Sequence, residues 1–387
     1  MIERLLLIDN IKRKFEKFPC VILLGLRQVG KTTISKSLFA SDVKYLDLEK
    51  PKDKYLLEAG VSEYLENFFD SVVVIDEVQL LPFIFSELRP IIDSNKKSSR
   101  FVLLGSANPT LVRGVSESLT GRAAYIDILP LSIEEVGVEN YQKRWLRGGL
   151  PMAYTAETNV DAFEWLDEYL RSYIERDFSM LFGIQINVNI ARRMLKIVAS
   201  VNGSTLNTSD LSRSLGVSNS TTNNYLDLLE GGYFIYRLQP YFPNVSKRVV
   251  KSPKLYISDE GILHSLANIN TYESLIDHVL VGASWEGFVI NQIRSIVGKK
   301  VELYFYRTQV GAEIDLLIVK DNRPYVAIEI KNSNTPSISK GFYLACEDVG
   351  VEHKYIITKS EGGYTLKNAR VIGLVDFLTK ELDNLIL

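Results

Sequence analysis

One segment constrains this chain more than any other. Residues 20–25 (CVILLG) form a short, wholly apolar run that closes on glycine. Gly25-Leu26-Arg27-Gln28-Val29-Gly30-Lys31-Thr32 follows at once in the spacing G-x-x-x-x-G-K-[ST], and residues 31–38 have helical character. A strand, a glycine-containing turn and a helix start in this order make an anion cradle. The glycines let the backbone turn its N–H groups toward phosphate, and the helix points its positive end at the same place. The expected contacts to nucleotide come from Gly25, Arg27, Gln28, Val29, Gly30, Lys31, Thr32 and Thr33. Lys31 reaches the β and γ phosphates, and Thr32 ligates Mg²⁺. ATP and Mg²⁺ are therefore the expected cofactors.

A second run supports the first. Residues 71–76 (SVVVID) are β-branched and apolar and deliver Asp76 and Glu77 at their end. Asp76 suits the Mg²⁺ shell and Glu77 suits the attacking water; the plainer alternative is a pair of acids capping the next helix. The strand predicted at 101–105 ends in Gly105-Ser106-Ala107-Asn108, where Ser106 or Asn108 can sense the γ phosphate or simply form a turn. Arg122 precedes another strand, 124–129. It suits either charge stabilisation on a neighbouring subunit's phosphate or a structural ion pair.

Strands at 20–25, 43–48, 71–76, 101–105 and 124–129 alternate with helical patterns at 31–38, 61–69 and 83–95. Continuous apolar strands of this type are covered on both faces, which predicts a parallel sheet in an α/β layer structure. At 387 residues the chain exceeds one ordinary core, and three domains are expected at 1–140, 141–240 and 241–387. With 45 basic against 47 acidic residues, a uniformly basic nucleic-acid coat is excluded, while a local basic patch is not. The two cysteines, Cys20 and Cys346, lack metal-ligand spacing and suit a reducing compartment. No run is apolar and long enough to cross a membrane, and the N-terminus reads as an amphipathic helix. The expected location is the cytoplasm.

The middle of the chain reads as helical. Within it, TLNTSDLSRSLGVSNSTTNNYLDLLEGGYFIY (205–236) has the layout of a helix-turn-helix running into a strand, a winged-helix pattern. Asn207 or Thr208 caps the first helix, Gly216 turns, and Ser218 caps the second. Leu211, Leu215, Val217, Tyr225, Leu226 and Leu229 form the expected inner face. The second helix offers Ser218, Asn219, Ser220, Thr221, Asn223 and Asn224 but no arginine, so DNA contact and plain packing both suit it. Lys247, Arg248, Lys251 and Lys254 follow, where a wing would meet phosphates.

Strands return toward the C-terminus at 301–307, 313–319, 325–330 and 355–357. Asp315, then Glu329 and Lys331 spaced two apart, follow Glu286 in a helical segment (283–296). Residues i and i+2 share a strand face, so two carboxylates and a lysine can converge on Mg²⁺. A salt-bridged strand surface, Glu329 with Lys331 or Arg307, is the plainer alternative.

The runs LLGLRQVGKTT, VVVIDEVQLLP, GSAN, SLTGRAAYIDILPLSIEE, RGGLP, YLRSYIERD and PKLYISDEGI, in this order, resemble the AAA-type ATPases that carry a C-terminal domain of unknown function, DUF4143. The resemblance spans nearly the whole chain. It implies an ATP-hydrolysing core with an additional strand between the two motif strands. The Asp315…Glu329-x-Lys331 pattern resembles the restriction-endonuclease-like fold, with Ile314 where that family often has proline. The expected whole is a P-loop AAA-type parallel-sheet ATPase domain, a helical and winged-helix middle, and a restriction-endonuclease-like α/β domain. The expected function is Mg²⁺-dependent ATP hydrolysis acting on DNA, in a homo-oligomer. The alternative is an ATP-dependent switch that binds protein partners without DNA.

Overall fold

The computed structural model describes residues 2–39, 43–94, 98–106, 118–177, 187–242 and 248–386. Five strands make the first sheet: β1 (Cys20–Gly25), β2 (Val43–Asp47), β3 (Val72–Asp76), β4 (Phe101–Ser106) and β5 (Ala123–Ile128). Their order is β2-β3-β4-β1-β5, and every pairing is parallel. β4 thus stands between β1, which carries the loop, and β3, which carries the acids. Alternate residues of β1 enter two different cores: Val21 and Leu23 on one face, Cys20, Ile22 and Leu24 on the other. This double burial is why the strand is apolar without alternation, and each such side chain contributes about 1.5–3 kcal/mol. The edge strand β5 alternates buried with partly exposed residues.

The helices Lys31–Leu38, Val61–Glu66 and Ile84–Ser94 lie where the pattern placed them. A further helix, Pro51–Ala59, begins with proline at its first turn, where a missing N–H does no harm.

The middle region packs the helices Tyr141–Arg147, Pro151–Thr155, Asn159–Ser172, Val188–Ser200, Thr208–Leu215 and Asn219–Gly231. The last two form the helix-turn-helix. Asn207 accepts from the Asp210 N–H and Ser218 from the Thr221 N–H, and Gly216 ends the first helix in the left-handed region. Leu211, Leu215, Leu226 and Leu229 are buried, and Val217 and Tyr225 pack partly buried against them. Thr222 also lies inside: its hydroxyl accepts from Ser212 at 2.8 Å.

The second sheet has eight strands: β6 (Ile235–Pro240), β7 (Lys254–Ile257), β8 (Glu302–Arg307), β9 (Glu313–Lys320), β10 (Arg323–Ile330), β11 (His353–Thr358), β12 (Gly363–Leu366) and β13 (Ala369–Gly373). The order is β12-β13-β11-β10-β9-β8-β6-β7. β6 pairs antiparallel with β7 and meets β8 in parallel at Gln239 and Pro240, so the hairpin after the helix-turn-helix extends the C-terminal sheet. One apolar cluster runs from Val21 through Trp145 and Leu195 to Phe288 and Ile328, joining the three parts of the chain.

The RGGLP and SDEGI runs, which carry the resemblance, meet in a buried joint. Arg144 Nη1 lies 2.6 Å from Glu260 Oε2, both side chains 2% exposed. The Gly149 N–H donates to Asp259 at 2.6 Å. Trp145 Nε1 donates to Ser284 Oγ (2.9 Å), and Ser284 Oγ lies 2.7 Å from His264 Nε2. His264 Nδ1 reaches the Leu146 carbonyl at 2.8 Å; a carbonyl only accepts, so Nδ1 carries the proton. Burial pushes His264 down to about 4 from 6.5. The folded protein therefore keeps it neutral, while the unfolded chain takes up a proton once pH falls below about 6.5. Between pH 6.5 and 4 this costs stability that reaches about 3 kcal/mol at the acid end. Buried acids whose pKa is raised, Glu286 and Glu329 among them, act in the opposite sense. The clean measurement is thus a difference: urea unfolding of wild type and His264→Gln across that window. The gap between the two should shrink as pH falls, and a constant gap would refute the assignment.

Candidate functional site

The loop after β1 is shaped by close backbone approach. A Cβ on Gly25 would lie 2.2 Å from the Ile128 carbonyl oxygen of β5. Gly30 caps the following helix at φ 102°, a conformation that side chains resist, and a Cβ there would lie 3.9 Å from Pro151 Cγ. Val29 is fully buried, so only its backbone can serve a ligand; Gln28 and Thr33 are exposed. Arg27 is 3.0 Å from Glu49.

Lys31 is 5% exposed, and its ammonium donates to the carbonyls of Gly25 (3.0 Å) and Leu26 (2.7 Å). Burial lowers its pKa to about 8, against the opposing pull of Glu77 and Asp76. Thr32 Oγ1 donates to Asp76 Oδ2 at 2.8 Å, which brings the two expected Mg²⁺ residues together. Tyr45 of β2 donates to the same oxygen, and the Glu77 N–H holds the other at 2.9 Å. Glu77 sits at φ 55°, accepts from Gln79, and has its pKa raised by burial. Ser106 ends β4 in register with Gly25; its hydroxyl is buried and has no partner. Asn108 and Lys247 lie outside the described residues. Arg122 makes a two-point pair with Asp93 of its own chain, 2.6 and 2.8 Å. It precedes β5 at the end paired with Cys20, the opposite end of β1 from the loop.

These residues suit a nucleotide with Mg²⁺. The lysine is held by neutral carbonyls that phosphate oxygens can replace. Thr32 and Asp76 already converge, and an orphaned hydroxyl lies beside the loop. Two protein ligands are enough where phosphates and water complete the shell.

The C-terminal constellation has a different character. Asp315 Oδ2 accepts from the Ile330 N–H at 2.9 Å, and Lys331 lies 2.6 Å from Glu329 Oε1, so Asp315, Glu329 and Lys331 do gather. Arg307 pairs with Glu313, not Glu329. Lys254, read from sequence as a phosphate contact, is instead buried at 3% exposure. Its ammonium lies 2.9 Å from Glu286, 2.9 Å from Glu313 and 3.5 Å from Asp315. Tyr256 also donates to Glu286. Among the described residues, no group of three or more His, Cys, Asp or Glu is arranged to hold a metal ion. Glu286, Asp315 and Glu329 therefore do not fit the Mg²⁺ expected of them, because an ammonium sits among them.

Sequence reading missed Tyr45, Gln79 and Lys254. The available signal for Lys254 was a lone lysine opening a strand otherwise apolar, LYI, since buried lysine demands carboxylate partners. Tyr45 carried no signal without knowing that β2 flanks β3.

A parallel sheet with this loop on β1, and the acids two strands away, defines a P-loop nucleotidase. An AAA domain model matches residues 17–137, a domain of unknown function (DUF8612) 138–273, and another (DUF4143) 281–377. An uncharacterized protein of Mycobacterium tuberculosis is 36% identical over 372 residues, covering 96% of this chain and 83% of that protein. One from Haemophilus influenzae is 21% identical, covering 87% of this chain and 92% of that protein. Among solved structures, a Walker-type ATPase of Pyrococcus abyssi matches at 15% identity and TM-score 0.45, over 69% of this chain and 96% of that one. The chain belongs to the AAA-type P-loop ATPases that carry a C-terminal DUF4143 domain. It is an ATP hydrolase. Among the described residues, no helix is long and apolar enough to cross a membrane.

Proposed function

We propose that this ATPase acts on DNA, with nucleotide state passed from the loop to the helix-turn-helix and the C-terminal sheet. The observation that carries the reading is the second helix of the helix-turn-helix. It exposes Ser218, Asn219, Ser220, Asn223 and Asn224 on one side and buries Leu226 and Leu229 on the other. Such a face suits base edges and backbone oxygens.

In the first module, Lys31 and the loop N–H groups bind phosphate, Thr32 and Asp76 hold the metal, and Ser106 meets the γ phosphate. Bound Mg²⁺ neutralises charge that develops on the phosphate oxygens. Glu77 takes the proton of the attacking water. Arg122, distant from its own loop, serves a neighbouring subunit's nucleotide and gives up Asp93 to do so. Pro151 lies against Gly30, Tyr169 donates to the Arg27 carbonyl at 3.4 Å, and Gly149 bonds Asp259, so the loop has a packed route to the second sheet. In this reading the C-terminal sheet grips nucleic acid and does not cut it.

A second reading, a switch for protein partners without DNA, draws support from the absence of any basic residue in the helix Asn219–Gly231. ATPase rate with single-stranded, duplex and branched DNA, beside a light-scattering mass, separates the two. DNA should raise the rate, and Asn219→Glu with Asn223→Glu should lower the stimulated rate alone, because like charges then face phosphate. Rates indifferent to all three DNAs would leave the partner switch standing and remove the DNA reading.

A further inference from the structure

The carboxylates at the junction of the middle region and the second sheet form the most heavily charged buried cluster among the described residues outside the nucleotide site. Glu286 comes from the helix Val281–Val297, Glu313 and Asp315 from β9, and Glu329 from β10. Three cations face these four acids: Lys254 at the start of β7, Lys331 after β10, and Arg307 of β8. Lys254 is the innermost of the three and touches three of the four acids.

Charge balance decides what this cluster can hold. With Lys254 in place, one negative charge is in excess, and a divalent ion would overshoot it while meeting the ammonium at close range. Without Lys254 the excess is two, which one divalent ion matches. The acceptors are also in place. Asp315 Oδ2 is fixed by the Ile330 N–H, whereas Glu329 Oε2 is buried with no partner, an oxygen lacking any cation on its second side. A buried carboxylate oxygen left this way is costly unless something else in the fold requires it.

We propose that Lys254 is the resident cation of this cluster: its ammonium excludes divalent metal and ties β7, and through it the helix-turn-helix hairpin, to the C-terminal sheet. Beneath it lies a latent divalent-cation site made by Glu286, Asp315 and Glu329. The lysine plays the part of the ion, so the C-terminal domain closes without metal. This does not rest on the DNA reading; it holds whether the partner is nucleic acid or protein.

The test uses the full chain, stripped of nucleotide and metal, with Mn²⁺ as the probe. Free Mn²⁺ is followed by electron paramagnetic resonance and melting temperature in parallel. Wild type should bind Mn²⁺ no better than Asp315→Asn. Lys254→Met keeps the stem and removes the charge; it should gain one site per chain, roughly tenfold tighter than any in wild type. Mn²⁺ should then raise its melting temperature, and adding Glu329→Gln should remove the gain. Lys254→Arg should exclude metal as wild type does. ATP binding by the Lys254→Met protein reports that it has folded. A wild-type Mn²⁺ site lost in Asp315→Asn overturns the proposal, and so does a folded Lys254→Met protein that gains no site. If Lys254→Met fails to fold unless Mn²⁺ is present, the proposal is upheld; if it fails to fold in Mn²⁺ as well, the proposal is overturned.

Discussion

Glu77→Gln should bind ATP as wild type does and hydrolyse it about 10²–10⁴ times more slowly, the usual contribution of a positioned general base. The glutamine keeps shape and volume but cannot take a proton from water. Its surroundings argue for this role over a capping one. Glu77 sits in the left-handed region, directly after the strand that delivers Asp76, and its carboxylate receives Gln79. Burial raises its pKa, so proton transfer to it is easier than to an exposed acid. Because the base form is lost on protonation, the wild-type rate should fall on the acid side at a pH above the ordinary carboxylate range. Single-turnover hydrolysis and equilibrium binding of a labelled nucleotide, measured on the same preparations, decide the matter. Turnover near the wild-type rate would take Glu77 out of the chemistry.

Arg144→Ala should destabilise the protein by about 3–5 kcal/mol, the cost of leaving a buried charge without its partner. Glu260 would then keep only the Asn291 amide, 2.7 Å away, and the Leu131 carbonyl would lose its guanidinium donor. Replacing both charges, Arg144→Met with Glu260→Met, should cost far less, because no isolated charge remains inside. Urea unfolding measures both variants. A single-variant cost near zero would show that the pair is not the bolt of the joint between the RGGLP turn and the second sheet. This joint matters for function because the same turn leads directly to Pro151, against Gly30 of the loop.

The nucleotide site was legible because its parts are contiguous. A loop that cradles phosphate needs its glycines, lysine and hydroxyl within eight residues, so the spacing itself carries the geometry. Asp76 and Glu77 could be paired with it because an apolar strand ending in two acids has few other uses beside such a loop. The apolar runs of β1, β3 and β4 were equally plain, since burial on both faces removes polar alternation. The helix-turn-helix boundaries were readable from Asn207, Gly216 and Ser218, whose capping roles are local.

Other assignments depended on contacts between distant segments, which no local pattern encodes. Arg122 met Asp93, 29 residues earlier, across a sheet edge. Tyr45 met Asp76 because β2 lies beside β3. RGGLP and SDEGI turned out to be two halves of one buried joint, 110 residues apart at Gly149 and Asp259. For β12 and β13 the runs are short and flanked by glycine, and pairing against β11 is what makes them strands.

The chain by itself determined its α/β core and the place of its phosphate loop, because strand burial and loop geometry are properties of neighbouring residues. Only the tertiary structure decided the meaning of Lys254. A lysine followed by apolar residues can face phosphate or carboxylate, and the choice follows from which strands flank it and which acids they bring within 3.5 Å. Electrostatic roles inside a protein belong to the assembled surroundings, since desolvation and pairing, rather than residue type, set what a buried charge does.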